Sequence, residues 1–478
     1  MNSLYKKYWS IYVIMLLTPF FLWAAITILP TFDDWASLTR PTFEPLFIKE
    51  RWLFYGYHWR PFDSIIGYIL GLNPQLLFPT LNHCLVVFGH LACSFLLYYI
   101  LTILGFKQSA KNIATLFFFI TPATMATVLA VDSMNQTYAL MWGMTAFVSY
   151  IKLKRIKYIV WIPLIFIATL CKENGLMWAL ICPILAFGFD IIDKRTLKKD
   201  VLIAMVIMIA YALIIILSPK EIIIHPDYEP GIMKVVKNIV KFLFTTFITV
   251  DYVYLLHQPS RNLLLAAISF LFSIPFGYYI LSHVLRSLAY KKIICIIICM
   301  LIAVGPHLLT IFSMMHTYAG LPMLTIIVAL GINNKINNTL IISFVIWIIT
   351  AMVIDIHLWK ESDKSGLTGK EMAIEAVRKT GEPVKSVYVI IIEDEYTKLS
   401  SFCVVPNEAF GWGLAAQYET NYQWPEIIKD TTIERSHSAI EIAKRMGKEV
   451  LNDKSYECVW IINHKNIDVM KREDYSHH

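Results

Sequence analysis

Residues 11–29, IYVIMLLTPFFLWAAITIL, run on without a charged side chain and end at Pro30-Thr31-Phe32-Asp33-Asp34-Trp35. A helix rises 1.5 Å per residue, so about 20 apolar residues cross a hydrocarbon core of roughly 30 Å. Strands that cross a membrane alternate polar and apolar residues, and this stretch does not. Lipid offers the backbone no hydrogen-bond partner, so the helix is the expected spanning element. No small-x-small cleavage site precedes the acidic pair, so the stretch reads as a retained first helix and not a removed leader.

The same pattern recurs along the chain. Hydrophobic residues make up 57% of the 478 and charged residues 16%, against about 25% charged in a soluble domain. Mean hydropathy is +0.57. The expected fold class is an α-helical polytopic membrane protein with about eleven spans. These lie near 11–30, 76–104, 112–131, 135–151, 156–171, 175–189, 201–218, 262–284, 291–311, 318–332 and 339–357.

The net charge of +7 sits in short clusters between these blocks, which excludes a nucleic-acid partner and reads as a topology signal. Lys6 and Lys7, Lys107 and Lys111, Lys152 to Lys157, Lys194 to Lys199, Arg286 to Lys292, and Lys335 fall on alternate connections. By the positive-inside rule the N-terminus is cytoplasmic and the C-terminus extracytoplasmic.

Two outer loops are long, 31–75 and 219–261. Within the second, 239–257 is apolar but carries Asp251 and ends in His257, which suits a re-entrant or interfacial helix. Beyond residue 357 the composition becomes that of a soluble unit, so 1–357 is expected to be the membrane domain and 358–478 a small extracytoplasmic α/β domain. Ser386–Ile392 and Tyr456–Ile462 read as strands, and Ser438–Leu451 as an amphipathic helix. Cys403 and Cys458 are the two cysteines outside apolar blocks and could pair in an oxidising compartment.

Chemistry is sought where charge meets the membrane. Asp33 and Asp34 are adjacent carboxylates just past the first span, and a positioned carboxylate can take a proton from a hydroxyl. Their repulsion and burial under Trp35 would raise one pKa. In Trp59-Arg60-Pro61-Phe62, Pro61 suits a helix start and Arg60 can bind a phosphate bidentately. In Cys171-Lys172-Glu173-Asn174-Gly175, Lys172 can meet charge developing on a departing phosphate, with Glu173 orienting it. Solvated loop charges, headgroup anchoring and a plain surface ion pair are the ordinary explanations of these three features. Asp132, Asp251, His316 and Tyr318 are weaker candidates for lining the same cavity. His83 and His90 share a helix face, where core hydrogen bonds explain them better than a metal does. No phosphate-binding glycine loop and no zinc-type ligand cluster occur, and a divalent metal is left open.

Taken in order, the acidic pair (Asp33, Asp34), the Arg-Pro pair (Arg60, Pro61) and Lys-Glu-x-Gly (Lys172, Glu173, Gly175) resemble the GT-C class of integral membrane glycosyltransferases. The run from Leu81-Asn82-His83 to Leu104, then Ile120-Thr121-Pro122 and Asp132, is similar to the protein O-mannosyltransferase branch. The resemblance covers roughly residues 1–190. It implies a polyprenyl- or dolichyl-phosphate sugar donor in the membrane lipid and an inverting single displacement. Asp33 or Asp34 would act on the acceptor, while Arg60 and Lys172 would hold the lipid phosphate. The acceptor would be a glycan or protein on the outer face of the inner or plasma membrane. Bacterial serotype-converting O-antigen glucosyltransferases share this size and architecture. The C-terminal part matches no accessory module of the class. An envelope polysaccharide polymerase or ligase, and a multi-pass transporter, remain as other readings. Neither the arginine-rich outer loops of the former nor the internal pseudo-symmetry of the latter is visible.

Overall fold

A computed structural model describes residues 2–30, 34–35, 62, 80–130, 133–217, 231–248, 259–309, 312, 314–333, 337–392, 410–420 and 427–475. Its helices are α1 (Asn2–Thr27), α2 (Thr80–Ile103), α3 (Gln108–Ile120), α4 (Met125–Val128), α5 (Met134–Lys152), α6 (Lys157–Cys171), α7 (Trp178–Gly188), α8 (Lys194–Leu217), α9 (Ile232–Ile248), α10 (Pro259–Arg286), α11 (Tyr290–Leu308), α12 (Leu321–Ile332) and α13 (Asn338–Thr380). Each apolar segment expected to span overlaps one of these helices. Among the described residues, five helices are long and apolar enough to cross a membrane: those within α1, α2, α10, α11 and α13. The protein is a helical, membrane-embedded chain. Several of the remaining helices are short for a physical reason. Thr121-Pro122 ends α3 after 13 residues and turns the chain into a 3-10 turn at Pro122–Thr124, because proline has no N–H to continue the ladder.

Contacts gather the lysine-rich connections at one end of the bundle. Asn112 Nδ2 donates to the Lys7 carbonyl (3.2 Å) and Ser10 Oγ donates to Asn112 Oδ1 (2.9 Å). The Lys107 N–H donates to Asn333 Oδ1 (2.8 Å), and Lys291 pairs with Asp190 (2.5 Å). That pairing holds the Asp190 carboxyl below the usual range. Asp200, fully buried, accepts from Tyr150 (2.5 Å), Tyr158 (2.7 Å) and Lys157 (2.7 Å). Lys335 lies outside the described residues.

The helix α9 begins before the segment read as re-entrant. It turns Ile232, Met233, Val236 and Val240 outward, while Asn238, Phe242 and Thr246 are buried. An apolar stripe exposed at i,i+4 is the pattern of a helix lying against lipid. Asp251 and His257 lie outside the described residues.

α13 is 43 residues long, roughly 65 Å at 1.5 Å per residue. Asn337 caps its start by accepting from the Leu340 N–H (2.9 Å), and Gly381 closes its end at φ +76°. The boundary expected at 357/358 therefore falls inside a continuous helix. Composition changes there, but no proline interrupts the backbone ladder. The far end of α13 packs on a four-stranded sheet of order β2-β1-β3-β4, with β1 Ser386–Ile392, β2 Ile427–Ile433, β3 Cys458–Asn463 and β4 Asn466–Lys471. β1 runs parallel to β2 and β3, and β3–β4 is an antiparallel pair. Alternation along the strands sorts the faces. Val387, Val389, Ile391, Cys458 and Trp460 meet Met372, Ala373 and Ala376 of α13. Ile390, Ile392, Val459 and Ile461 meet a helix at Ala439–Asn452. Cys458 is a buried free thiol, pushed up to about 12 by burial. Cys403, with which it could have paired, lies outside the described residues. The alternation that makes β3 a core strand also turns the Cys458 sulfur inward.

Candidate functional site

At the end of the bundle away from the lysine clusters, α6 stops at Cys171 and Lys172 adopts an extended backbone. A 3-10 turn, Glu173–Met177, follows and leads into α7. The turn folds back tightly: a Cβ on Gly175 would sit 2.3 Å from the Ala168 carbonyl. This is the physical reason for glycine in the Lys-Glu-x-Gly pattern. The Gly175 N–H donates to the Lys172 carbonyl (2.9 Å) and fixes the bend.

Lys172 is buried, and its ammonium donates to Asn135 Oδ1 (3.3 Å) at the start of α5. With the Gln136 amide turned so that its nitrogen donates to the Met315 carbonyl (3.1 Å), its oxygen accepts from Lys172 at 3.2 Å. Amide oxygens accept from an ammonium and orient it. Met315 belongs to a 3-10 turn at Met314–Ala319. That turn is tied to the Pro122–Thr124 turn by Thr317 Oγ1 donating to the Ala123 carbonyl (3.0 Å). Four connections thus meet around Lys172. Glu173 opens its own turn, half-buried.

His316 stacks on His307, with ring centroids 4.1 Å apart, and Phe312 meets it edge-on. Tyr318, the other candidate of this turn for lining the cavity, points elsewhere. It is wholly buried, and its hydroxyl is 2.9 Å from His90 Nδ1. The other His90 nitrogen is 3.0 Å from the Phe119 carbonyl. The tight turn that leaves His316 half-buried sends Tyr318 into the core, where His90 satisfies it. His83 differs from His90. It is fully buried, lies against the Ile28 backbone, and has no well-formed hydrogen bond at either ring nitrogen.

Asp34 is buried at the end of α1, next to Trp35. Trp35 inserts into the helix-facing core of the sheet, 5.3 Å from the Tyr418 ring and hard against Gly411. Gly366 of α13 lies against Leu29. The acidic segment and the C-terminal sheet are therefore joined, at the same end of the bundle as Lys172. Burial also pushes the Tyr418 hydroxyl up to about 12 and raises the Glu419 carboxyl, the latter offset in part by Lys370. Asp33, Arg60, Asp132 and Asp251 lie outside the described residues.

Sequence reasoning missed Asn135 and Gln136. Their signal was available, since Ser133-Met134-Asn135-Gln136 opens an apolar block with polar side chains. Asp355, buried in α13, was also missed. Among the described residues no group of three or more His, Cys, Asp or Glu is placed to hold a metal ion. No protein-family model matches the chain, and no match is found to a curated protein or to a solved structure.

Proposed function

We propose that the chain is an inverting glycosyltransferase of GT-C type. It moves one sugar from a polyprenyl-phosphate donor to an extracytoplasmic acceptor, such as a cell-surface glycan. The observation that carries this reading is Lys172: a buried ammonium at a bundle end, oriented by the Asn135 and Gln136 amide oxygens. The buried Asp34 at the same end supplies a carboxylate near the membrane boundary. In this reading the lysine-rich end faces the cytoplasm and the shorter helices also cross, giving eleven spans. The C-terminal sheet then stands outside.

The reaction is a single displacement. Asp33 or Asp34 accepts the proton of an acceptor hydroxyl, whose oxygen attacks the anomeric carbon. The bond from that carbon to the phosphate oxygen breaks on the opposite face. The departing polyprenyl phosphate gains negative charge, which Lys172 and Arg60 meet. The test is transfer by purified full-length protein from a panel of polyprenyl-phosphate sugars, with Asp33→Asn, Asp34→Asn and Lys172→Ala beside it. Lys172→Ala and the variant of the true base lose about two orders of magnitude in kcat. Full activity in all three ends the reading.

A further inference from the structure

A cleft between α1 and α13 has room inside for about 20 Å³, enough for one water-sized group such as a hydroxyl. Its walls include Leu17, Phe20, Phe21 and Ala24 of α1, with Ile120 and Met125 opposite. Two polar groups interrupt them, Asp355 and Trp359. They stand at i,i+4 on α13 and so share one helix face. Asp355 is 7% exposed and its Oδ1 has no hydrogen-bond partner; the Trp359 indole N–H has none either. Asp355 lies about 26 Å along α13 from Asn338 at 1.5 Å per residue, near the far boundary of a bilayer. The Trp23 ring, 4.9 Å from Trp359, marks the same level, as tryptophans do at the headgroup layer.

A buried acceptor and a buried donor without partners cost stability unless something polar completes them. One atom can serve both: a hydroxyl donates to the carboxyl oxygen and accepts from the indole N–H. The rest of the cleft offers only hydrocarbon contact. Among the described residues no lysine or arginine lines it, so an anionic headgroup would enter beside a carboxyl with no counter-charge from them. We infer that this cleft is a binding site for a long-chain alcohol-type lipid, its chain along Phe20, Phe21 and Ala24 and its hydroxyl between Asp355 and Trp359. The site is separate from the Lys172 turn and stands whether or not the chain transfers sugars.

The test uses full-length protein in detergent and three photoactivatable probes of equal chain length: an alcohol, its phosphate monoester and an alkane. The alcohol should label peptides spanning Leu17 to Ala24 and Met352 to Trp359 at least about tenfold more than either other probe, the loss expected for one hydrogen bond to a carboxyl. Asp355→Leu should bring alcohol labelling down to the alkane level. Ala24→Phe, which fills the cleft and leaves the carboxyl in place, should abolish labelling by all probes, so a folding failure in one variant does not decide the result. Equal labelling by alcohol and alkane, or by alcohol and phosphate ester, overturns the inference. So does undiminished alcohol labelling of folded Asp355→Leu.

Discussion

The two ends of the helical bundle treat buried polar groups in opposite ways. At the lysine-rich end most are paired: Asp200 has three donors, and Asn112 bridges Ser10 and the Lys7 carbonyl. Trp161, whose indole N–H faces the Cys182 sulfur, and Thr115 Oγ1 in the middle of α3 are exceptions among the described residues. At the other end Asn82 Oδ1, Thr121 Oγ1, Ser133 Oγ, Asn174 Oδ1 and Asp355 Oδ1 are buried without partners. Each such atom costs about 1–3 kcal/mol relative to a paired one. Apolar residues there would give a more stable chain. One end is thus built to hold the helices together, and the other keeps hydrogen-bonding capacity in reserve. Such a reserve fits a region that takes up a polar partner.

The contrast can be broken from either side. The largest effect should come from Lys172→Ala, which in the transfer assay lowers turnover about a hundredfold, a larger change than the loss of its amide contacts makes in stability. At the opposite end Asp200→Ala should do the reverse. It strands Lys157 and two tyrosine hydroxyls in a buried site and costs about 3–5 kcal/mol in denaturant unfolding, with activity per folded molecule unchanged. A loss of stability no larger in Asp200→Ala than in Lys172→Ala would remove the distinction.

The two histidines of α2 sharpen it further. His90→Leu leaves the Tyr318 hydroxyl and the Phe119 carbonyl without their partner and should cost about 2–4 kcal/mol. His83→Leu removes a buried imidazole whose polar contact is the Ile28 backbone alone, and should cost clearly less than His90→Leu. Equal losses in thermal unfolding would show that His83 is held as firmly as His90.

The smallest effect concerns Glu419, beside the Trp35 contact. Burial raises its carboxyl above the ordinary range, so the folded state binds its proton more tightly than the unfolded state does. The cost is therefore absent at low pH and develops as pH rises through the unfolded and then the folded pKa. Glu419→Gln should melt with the wild type near about pH 4 and about a degree or two above it near about pH 7. A variant that melts below wild type at neutral pH would contradict the sign.

Much of the architecture was legible because lipid simplifies the code. A long apolar run such as 11–29 has few alternatives to a helix, and the lysine clusters do converge on one end of the bundle. Strands β1 and β3 and the helix at Ala439–Asn452 were visible from alternation and periodicity. β2, Ile-Ile-Lys-Asp-Thr-Thr-Ile, and β4, Asn-Ile-Asp-Val-Met-Lys, were not. They flank the sheet and carry too few apolar residues to declare themselves. The site was only partly legible. Lys172 announces itself as a charge beside apolar blocks, whereas Asn135 and Gln136 matter only because α5 starts where α6 ends.

Composition and charge spacing alone determined that this chain is helical and membrane-embedded, and that an acidic segment and Lys172 sit at helix ends. Local chemistry decides such matters: solvation of the backbone in lipid, and the cost of a charge within it. Only the tertiary structure decided that α13 carries on into the sheet and that Trp35 belongs to the sheet's core. It also decided that Tyr318 pairs with His90 while Asp355 Oδ1 is left without a partner. Those facts depend on which helices become neighbours. A hydrogen bond between residues 228 positions apart leaves no trace in the spacing of either one.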